Sequence, residues 1–439
     1  MLKRIHEQTL ALTPLITALR RDIHKHPEKA WCEYRTTAMI ARHLKELGYS
    51  VVMGPDAHVD SLRYALPDAE TSRQAQERAV SQGADAQLVQ RMGKGFTGLW
   101  ADLDCPAATA KGQTGPCIAI RFDMDALELT ECASPEHRPV REGFSSVYDG
   151  TMHACGHDGH AALGMGVAAI IKSLQPELRG KVRLIFQPAE EGAHGAMPMA
   201  AAGAVDGVDV LLGLHFGVQA QDTGEIICGT ADFLATSTID VRFDGNAAHA
   251  GIAPQQGKNA LLAACSAVLN MHAISRHGQG DTRVNVGQIG GGDATNIIPA
   301  HAWIQAETRG TTTEINTYMM DEAKRIVQAA AHMWNCQCTI NPLGECPSGN
   351  SSPELCNIVE QIAKSMGTFT TIHGMKNFMA SEDFTIFLNK VQKNGGIGTY
   401  IQIGATRPSG HHTHTFDFDE AAIAPAMEIL VRLVAHYAK

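Results

Sequence analysis

Eight consecutive residues, His153-Ala154-Cys155-Gly156-His157-Asp158-Gly159-His160, hold three histidines, a cysteine and an aspartate. Thiolate and imidazole together suit zinc or a neighbouring transition metal. Cys155 and His157 stand two apart, so one helix face cannot present both. A loop can, with Gly156 letting the backbone turn between them. In isolation a histidine-rich surface loop would look the same. Further segments add ligand types at the ends of apolar stretches. Val182 to Phe186 reads as a buried strand that runs into Gln187-Pro188-Ala189-Glu190-Glu191-Gly192. Adjacent glutamates repel unless a cation holds at least one of them. Because neighbours point apart, one can ligate while the other faces substrate or water. The strand at Val208 to Leu214 delivers His215, and Asp123 and Asp125 close the strand at Cys117 to Phe122. Carboxyl ends of strands are where open α/β sheets carry their sites. His411, His412 and His414 cluster again ahead of Phe416-Asp417-Phe418-Asp419-Glu420.

The elements that must hold these residues follow from periodicity. Ala161 to Ile171 reads as a buried helix, so the histidine loop sits at a helix start. Leu10, Leu12, Ile16, Leu19 and Ile23 mark a first helix, with His24 and His26 read as its solvated end. Strands at 96–103 and 117–122 flank a Pro/Gly/Thr loop. Alternating strands and helices predict an α/β fold with a doubly wound, mostly parallel sheet. After Gly229 the pattern changes: Ile239, Val241 and Phe243 alternate with Asp240, Arg242 and Asp244. The order strand-helix-strand-strand-helix-strand then predicts an inserted ferredoxin-like α+β domain. The expected division is 1–230 and 344–439 for the metal-binding domain and 231–343 for the insert. Within the first domain, residues 55–94 form a polar, alanine-rich insertion, with 79–90 expected as one exposed helix.

Composition narrows the class. A net charge of −10 and 19% charged residues give no basic surface for nucleic acid or an anionic membrane. The eleven cysteines are scattered and odd in number, which fits a reducing cytoplasm. Cys336 and Cys338 alternate as strand residues. No long apolar run follows Met1 to Arg4, so neither a signal peptide nor a transmembrane helix is expected.

The ordered motifs resemble the dinuclear metallo-aminoacylase and carboxypeptidase family, in its hippurate and auxin-conjugate amidohydrolase branch. They are His153-Ala-Cys-Gly-His-Asp-Gly-His160, Gln187-Pro-Ala-Glu-Glu-Gly192, Gly213-Leu-His215, Ala247-Ala-His-Ala250 and His412-x-x-x-Phe416-Asp-Phe-Asp-Glu420. The resemblance implies that Cys155, His157, Glu191, His215 and His412 ligate two divalent metals, manganese or zinc, with Cys155 bridging. It gives Glu190 the role of general base. Asn296 and Arg309 would hold the substrate's carboxylate, and Asp123 would orient a metal-site histidine. His249 would reach a neighbouring protomer's site, implying a homodimer or pairing with a homologous second subunit. Glu307 stands where the wider family often has glycine. The implied reaction is amide hydrolysis of an N-acyl amino acid, p-aminobenzoyl-glutamate first and an indole-acetyl-aspartate conjugate as the rival. A catalytically silent metal-binding subunit is the alternative of another class, but such a site has no use for Glu190.

Overall fold

The computed structural model describes residues 1–106 and 115–439. Most of the Pro/Gly/Thr loop expected before Cys117 lies outside them. The described chain forms two compact units: 1–231 with 350–377 and 386–439, and 232–349 with 378–385.

In chain order the strands are β1 (Ser50–Met53), β2 (Leu99–Pro106), β3 (Cys117–Asp123), β4 (Arg179–Gln187), β5 (Val210–Phe216), β6 (Glu225–Ala231), β7 (Ala235–Asp244), β8 (Thr282–Gly291), β9 (His301–Gly310), β10 (Gln337–Cys346), β11 (Thr371–Asn377) and β12 (Ile397–Ile403). The α-helices are α1 (Leu2–Lys25), α2 (Tyr34–Glu46), α3 (Ala69–Ser81), α4 (Ala86–Met92), α5 (Arg138–Arg141), α6 (His157–Leu174), α7 (Ala196–Ala202), α8 (Ala260–His272), α9 (Thr313–Met333), α10 (Pro353–Met366), α11 (Phe384–Lys393) and α12 (Ile423–Ala438).

The first unit is built on an eight-stranded sheet in the order β1-β2-β4-β3-β5-β12-β6-β11. Four of its pairings are parallel, β4 with β3, β3 with β5, β5 with β12 and β6 with β11. The pairs β1–β2, β2–β4 and β12–β6 are antiparallel. Central strands buried on both faces need near-continuous apolar runs. Ile118, Ile120, Leu184, Phe186, Leu212 and Leu214 meet that need, each at most 2% exposed. Helix α6 is the buried helix expected after the histidine loop. Gly159 brings it against Phe418: a Cβ there would lie 2.5 Å from the ring. Glu420–Ala438 is long and apolar enough to cross a membrane, but Ile423, Met427, Leu430 and Val434 are packed in this core.

The polar insertion departs from expectation. The single exposed helix at 79–90 is two helices, α3 and α4. Gly83, at φ +88°, breaks the chain between them, and Asp85 caps α4 by accepting from the amides of Gln87 and Leu88. Ala75, Ala79, Val89 and Met92 are buried in the main core rather than exposed.

The second unit is a four-stranded antiparallel sheet in the order β10-β7-β9-β8, with α8 and α9 packed on it. That order and connectivity are ferredoxin-like. Ile239, Val241, Phe243, Ile304, Ala264, Met319 and Val327 form its core. Strands β7 and β9 pair in full register, Asp244 with His301 at one end and Ala235 with Gly310 at the other. Among the described residues β8 is an edge strand with one side unpaired.

Candidate metal centre

The first motif is a turn stapled to a helix. Gly156 at φ +98° caps α6, and His157, Asp158 and His160 fill its first turn. His412 is docked beside it, its amide donating to the Ala154 carbonyl at 2.8 Å, with its backbone held at φ +58°. A non-glycine residue in the left-handed region costs free energy, and such residues gather at functional sites.

Hydrogen bonds decide which ring nitrogens keep a free lone pair. His157 donates from Nδ1 to Asp125, 3.1 Å to the carbonyl and 3.3 Å to the carboxylate. Its Nε2 is buried and without a hydrogen-bond partner. His215 donates from Nδ1 to the Phe216 carbonyl at 2.9 Å, which turns its bare Nε2 to the Cys155 thiol at 3.3 Å. Burial and the neighbouring His160 and His411 rings hold His215 well below the usual histidine range, so it stays neutral. Glu191 Oε1 is buried without a hydrogen bond and lies 3.3 Å from His412 Nε2. Glu190 approaches His157 Nε2 at 3.9 Å. Cys155, Glu191 and His412 present ligand atoms within 4.8 Å of one another, as do His157, Glu190 and Glu191. Orphaned lone pairs around a thiol are what a metal ion would satisfy, so these residues fit a metal.

His160 and His411 are committed elsewhere, whereas neither ring nitrogen of the buried His153 has a hydrogen-bond partner. His160 donates to Asp123 at 2.5 Å and accepts from the Phe216 amide at 3.2 Å. His411 faces the Phe216 carbonyl at 3.1 Å with one nitrogen and Arg407 at 2.6 Å with the other. His153 is buried against His24, and burial keeps it neutral down to about 3.

Asp123, expected to orient a metal-site histidine, holds His160 rather than His157. Its carboxylate bonds His160 and pairs with the Arg121 guanidinium, and it lies 3.8 Å from the wrong nitrogen of His157. Asp125, two residues on, holds His157 and also accepts from the amides of Glu190 and Glu191, both at 3.0 Å. Glu33 accepts from the Ala189 amide at 2.8 Å and from Thr97 at 2.6 Å. Three successive amides anchored on two buried carboxylates fix the turn that carries the glutamate pair, with Ala189 and Ala193 in the left-handed region at either side. The i, i+2 spacing on one strand face makes Asp125 findable from sequence. Glu33 carries no such signal.

Burial opposes charge on His157, yet the Asp123, Asp125 and Glu191 carboxylates raise it to about 10. Burial and the nearby carboxylates push the Cys155 thiol well up. The metal-free centre therefore holds protons that a cation must displace.

Beneath the loop lies a charged cluster with no solvent. His24, expected at a solvated helix end, is fully buried and bonds Asp158 at 2.8 Å and Glu131 at 3.1 Å. Arg20, one turn earlier and equally buried, reaches Asp158 at 2.7 Å, Asp417 at 2.8 Å and Glu420 at 3.2 Å. Helix α1 thus ties together the segments that carry His157 and His412.

In the second unit, His249 is exposed, and its Nδ1 accepts from the amides of Gly251 at 3.1 Å and Ile252 at 3.2 Å. Its proton must sit on Nε2, pointing outward as a donor. Asn296 is beside it: its carbonyl accepts from the Ala250 amide at 2.9 Å. Arg309 stands at the opposite end of the sheet, paired with Thr236. Its fork is not open as expected. Glu307 takes two of its nitrogens, at 3.1 and 2.9 Å, and Ser381 a third at 3.1 Å.

A parallel α/β scaffold whose strand ends gather thiol, imidazole and carboxylate, with a ferredoxin-like insert, defines a metallohydrolase of the two-unit peptidase type. The profile of peptidase family M20/M25/M40 matches residues 119–436, and the chain belongs to that family. It is 41% identical to one of the subunits of the p-aminobenzoyl-glutamate hydrolase of Escherichia coli K12, over 97% of both chains. It is also 41% identical to indole-3-acetyl-aspartic acid hydrolase of Enterobacter agglomerans, over 97% of this chain and 96% of that one. The crystal structure of the aminobenzoyl-glutamate utilization protein from Klebsiella pneumoniae superposes with a TM-score of 0.84 at 36% identity, covering 98% and 97% of the two chains.

Proposed function

We propose that this chain hydrolyses the amide bond of an N-acyl amino acid, with p-aminobenzoyl-glutamate as its first substrate. The observation that carries the reading is that His157 Nε2 and Glu191 Oε1 are buried without hydrogen-bond partners beside the Cys155 thiol, which meets His215 Nε2 at 3.3 Å, with Glu190 alongside. Cys155, His157, Glu191, His215 and His412 would hold two divalent ions, Cys155 between them. When bound, such a pair lowers the pKa of a shared water and polarises the amide carbonyl. Glu190 takes the water's proton and passes it to the leaving nitrogen. His249 donates from Nε2 to the developing oxyanion. Asn296 and Arg309 hold the amino acid's carboxylate, Arg309 by exchanging its Glu307 or Ser381 contact for it. Thiolate favours zinc, and the carboxylates favour manganese.

The inserted unit, expected at 231–343 and found at 232–349 with 378–385, serves as a dimerisation domain for the catalytic parts, expected at 1–230 and 344–439. Two features support a homodimer. The β8 edge is unpaired, with Ile289 46% exposed on it, and Leu269 on α8 is 73% exposed. His249 and Asn296 also sit at the His301 end of β9, while Arg309 sits at the other. At about 3.3 Å per residue the nine residues from His301 to Arg309 separate them by roughly 25 Å, far beyond the length of an N-acyl amino acid. One substrate can meet all three only if they come from two copies, or from this chain and a homologous second subunit such as the name of the E. coli relative suggests. All eleven cysteines are free, as suits the cytoplasm.

A panel of N-acyl glutamates and aspartates, assayed with zinc or manganese restored to stripped protein, tests this reading. We expect p-aminobenzoyl-glutamate to have the highest kcat/KM. A preference for indole-acetyl-aspartate would shift the assignment to the activity named for the Enterobacter relative. No turnover with either metal would reject hydrolysis.

A further inference from the structure

Resting on the amidohydrolase reading, we propose that the cavity beside Glu191 is the acyl pocket, and that the polar insertion exists to wall it for a flat aromatic acyl group. The cavity has a volume of about 430 Å³, within the roughly 300–1,000 Å³ of small-molecule sites. Glu191 and His194 line it, so it borders the metal centre. Ala30, Ala126 and Leu127 supply apolar lining, as do Ala65 and Pro67 from the insertion. Lys29 and Glu128, paired with each other, line it too. A pocket of small apolar side chains interleaved with charged ones suits a planar ring bearing a hydrogen-bonding substituent. An acetyl group would leave most of it to water.

The wall is braced in advance. Trp31, fully buried, donates its indole N–H to the Tyr64 carbonyl at 2.8 Å. Arg63 lies 3.6 Å over the Phe96 ring and 5.4 Å from that of Trp31, and donates to the Lys94 carbonyl at 2.9 Å. Ala65, which lines the pocket, at φ +51°, and Trp31, next in sequence to the lining residue Ala30, at φ +62°, are non-glycine residues in the left-handed region. Strain of that kind persists only where the surroundings over-determine it, and it marks a surface whose shape is kept for use.

The test compares N-benzoyl-glutamate with N-acetyl-glutamate, which share the amino acid and differ only in what enters the slot. Ala65→Trp fills the cavity from its solvent side. We expect it to lower the benzoyl-to-acetyl ratio of kcat/KM at least tenfold, mostly through KM for the benzoyl substrate. Leu127→Ala, which removes a wall without adding bulk, should lower the same ratio about three- to tenfold and covers the case in which Ala65→Trp does not fold. Equilibrium binding of p-aminobenzoate to the metal-loaded protein is the second readout, expected for wild type and lost in Ala65→Trp. If both variants leave the ratio within twofold, or the acid binds wild type and variant equally, the pocket is wrong and the hydrolase reading stands. If wild type cleaves no N-acyl amino acid but still binds p-aminobenzoate in an Ala65-dependent way, the pocket stands and the reaction is wrong.

Discussion

One carboxylate, that of Asp125, holds the His157 ring and the two amides that aim Glu190 and Glu191. Asp125→Ala should therefore loosen both at once. Loss of a residue that orients a ligand typically costs about 10–100-fold in metal affinity, and here the glutamate turn loosens with it. Titration of stripped protein with zinc should give a Kd at least tenfold weaker, whereas Asp123→Asn, which hydrogen-bonds His160 rather than His157, should change it less. Equal effects would return the orienting role to Asp123. Glu190→Gln should keep its metals and lose roughly 10²–10⁴ in rate. Metal content and turnover measured on one preparation decide this, since a variant that loses its metal would show that Glu190 and Glu191 had exchanged roles. At this scale the sequence is legible where a chemical residue ends an apolar strand, as His215 does. It is not legible for the tautomers. That His160 and His411 have no lone pair to spare depends on the Phe216 backbone, more than fifty residues from the one and almost two hundred from the other.

Helix α1 shows why element periodicity misleads. Arg20 and His24 lie on the same stripe as Ile16 and Ile23, yet their charge argues for solvent. Their carboxylate partners, Asp158, Asp417 and Glu420, are brought in from distant parts of the chain, so no local pattern can reveal the burial. Removing one partner of a buried ionic cluster costs about 3–5 kcal/mol. Arg20→Met should lose that much in urea unfolding of the metal-free protein, and a loss under about 1 kcal/mol, the scale of an exposed ion pair, would mean that the cluster is hydrated. The insertion misleads for the opposite reason: its alanines look neutral in sequence but Ala75 and Ala79 pack into the core. His58 at its start gives a pH signature. Burial against Trp31 and Phe96 holds His58 down to about 4, below the roughly 6.5 of an unfolded histidine. A depressed histidine contributes its stability in full above about 6.5 and loses it as the pH falls towards 4, because the unfolded chain takes the proton first. His58→Leu should gain on wild type between pH 6.5 and pH 4, read as the difference of their unfolding midpoints. A constant difference would mean that His58 takes its proton as readily in the fold as in the unfolded chain.

For the whole molecule, the fold class and the ferredoxin-like insert are legible because strand and helix periods alternate cleanly. Two outer strands, β6 and β11, carry no such signal, since Glu225–Ala231 and Thr371–Asn377 are short and mixed in character. The separation of His249 from Arg309 along β9 yields a prediction about assembly. His249→Ala and Glu190→Gln should each be nearly inactive, but after subunit exchange a mixed dimer should carry one site with both residues intact. Turnover of the mixture should recover towards a quarter of wild type. Proven exchange without recovery would place His249 in its own chain's chemistry or outside the chemistry altogether. The cluster around Arg20 has a consequence in time. Its members run from residue 20 to residue 420, and the ligands from Cys155 to His412, with the whole second unit spelled out between them. During synthesis the chain reaches Glu420 only after the insert has been made and has had time to fold. Until then Arg20 and Asp158 wait without two of their partners, and the Cys155 loop without His412. If Cys155 and His412 share a metal as proposed, its capture would fall at the last moments of translation, after the insert has been made.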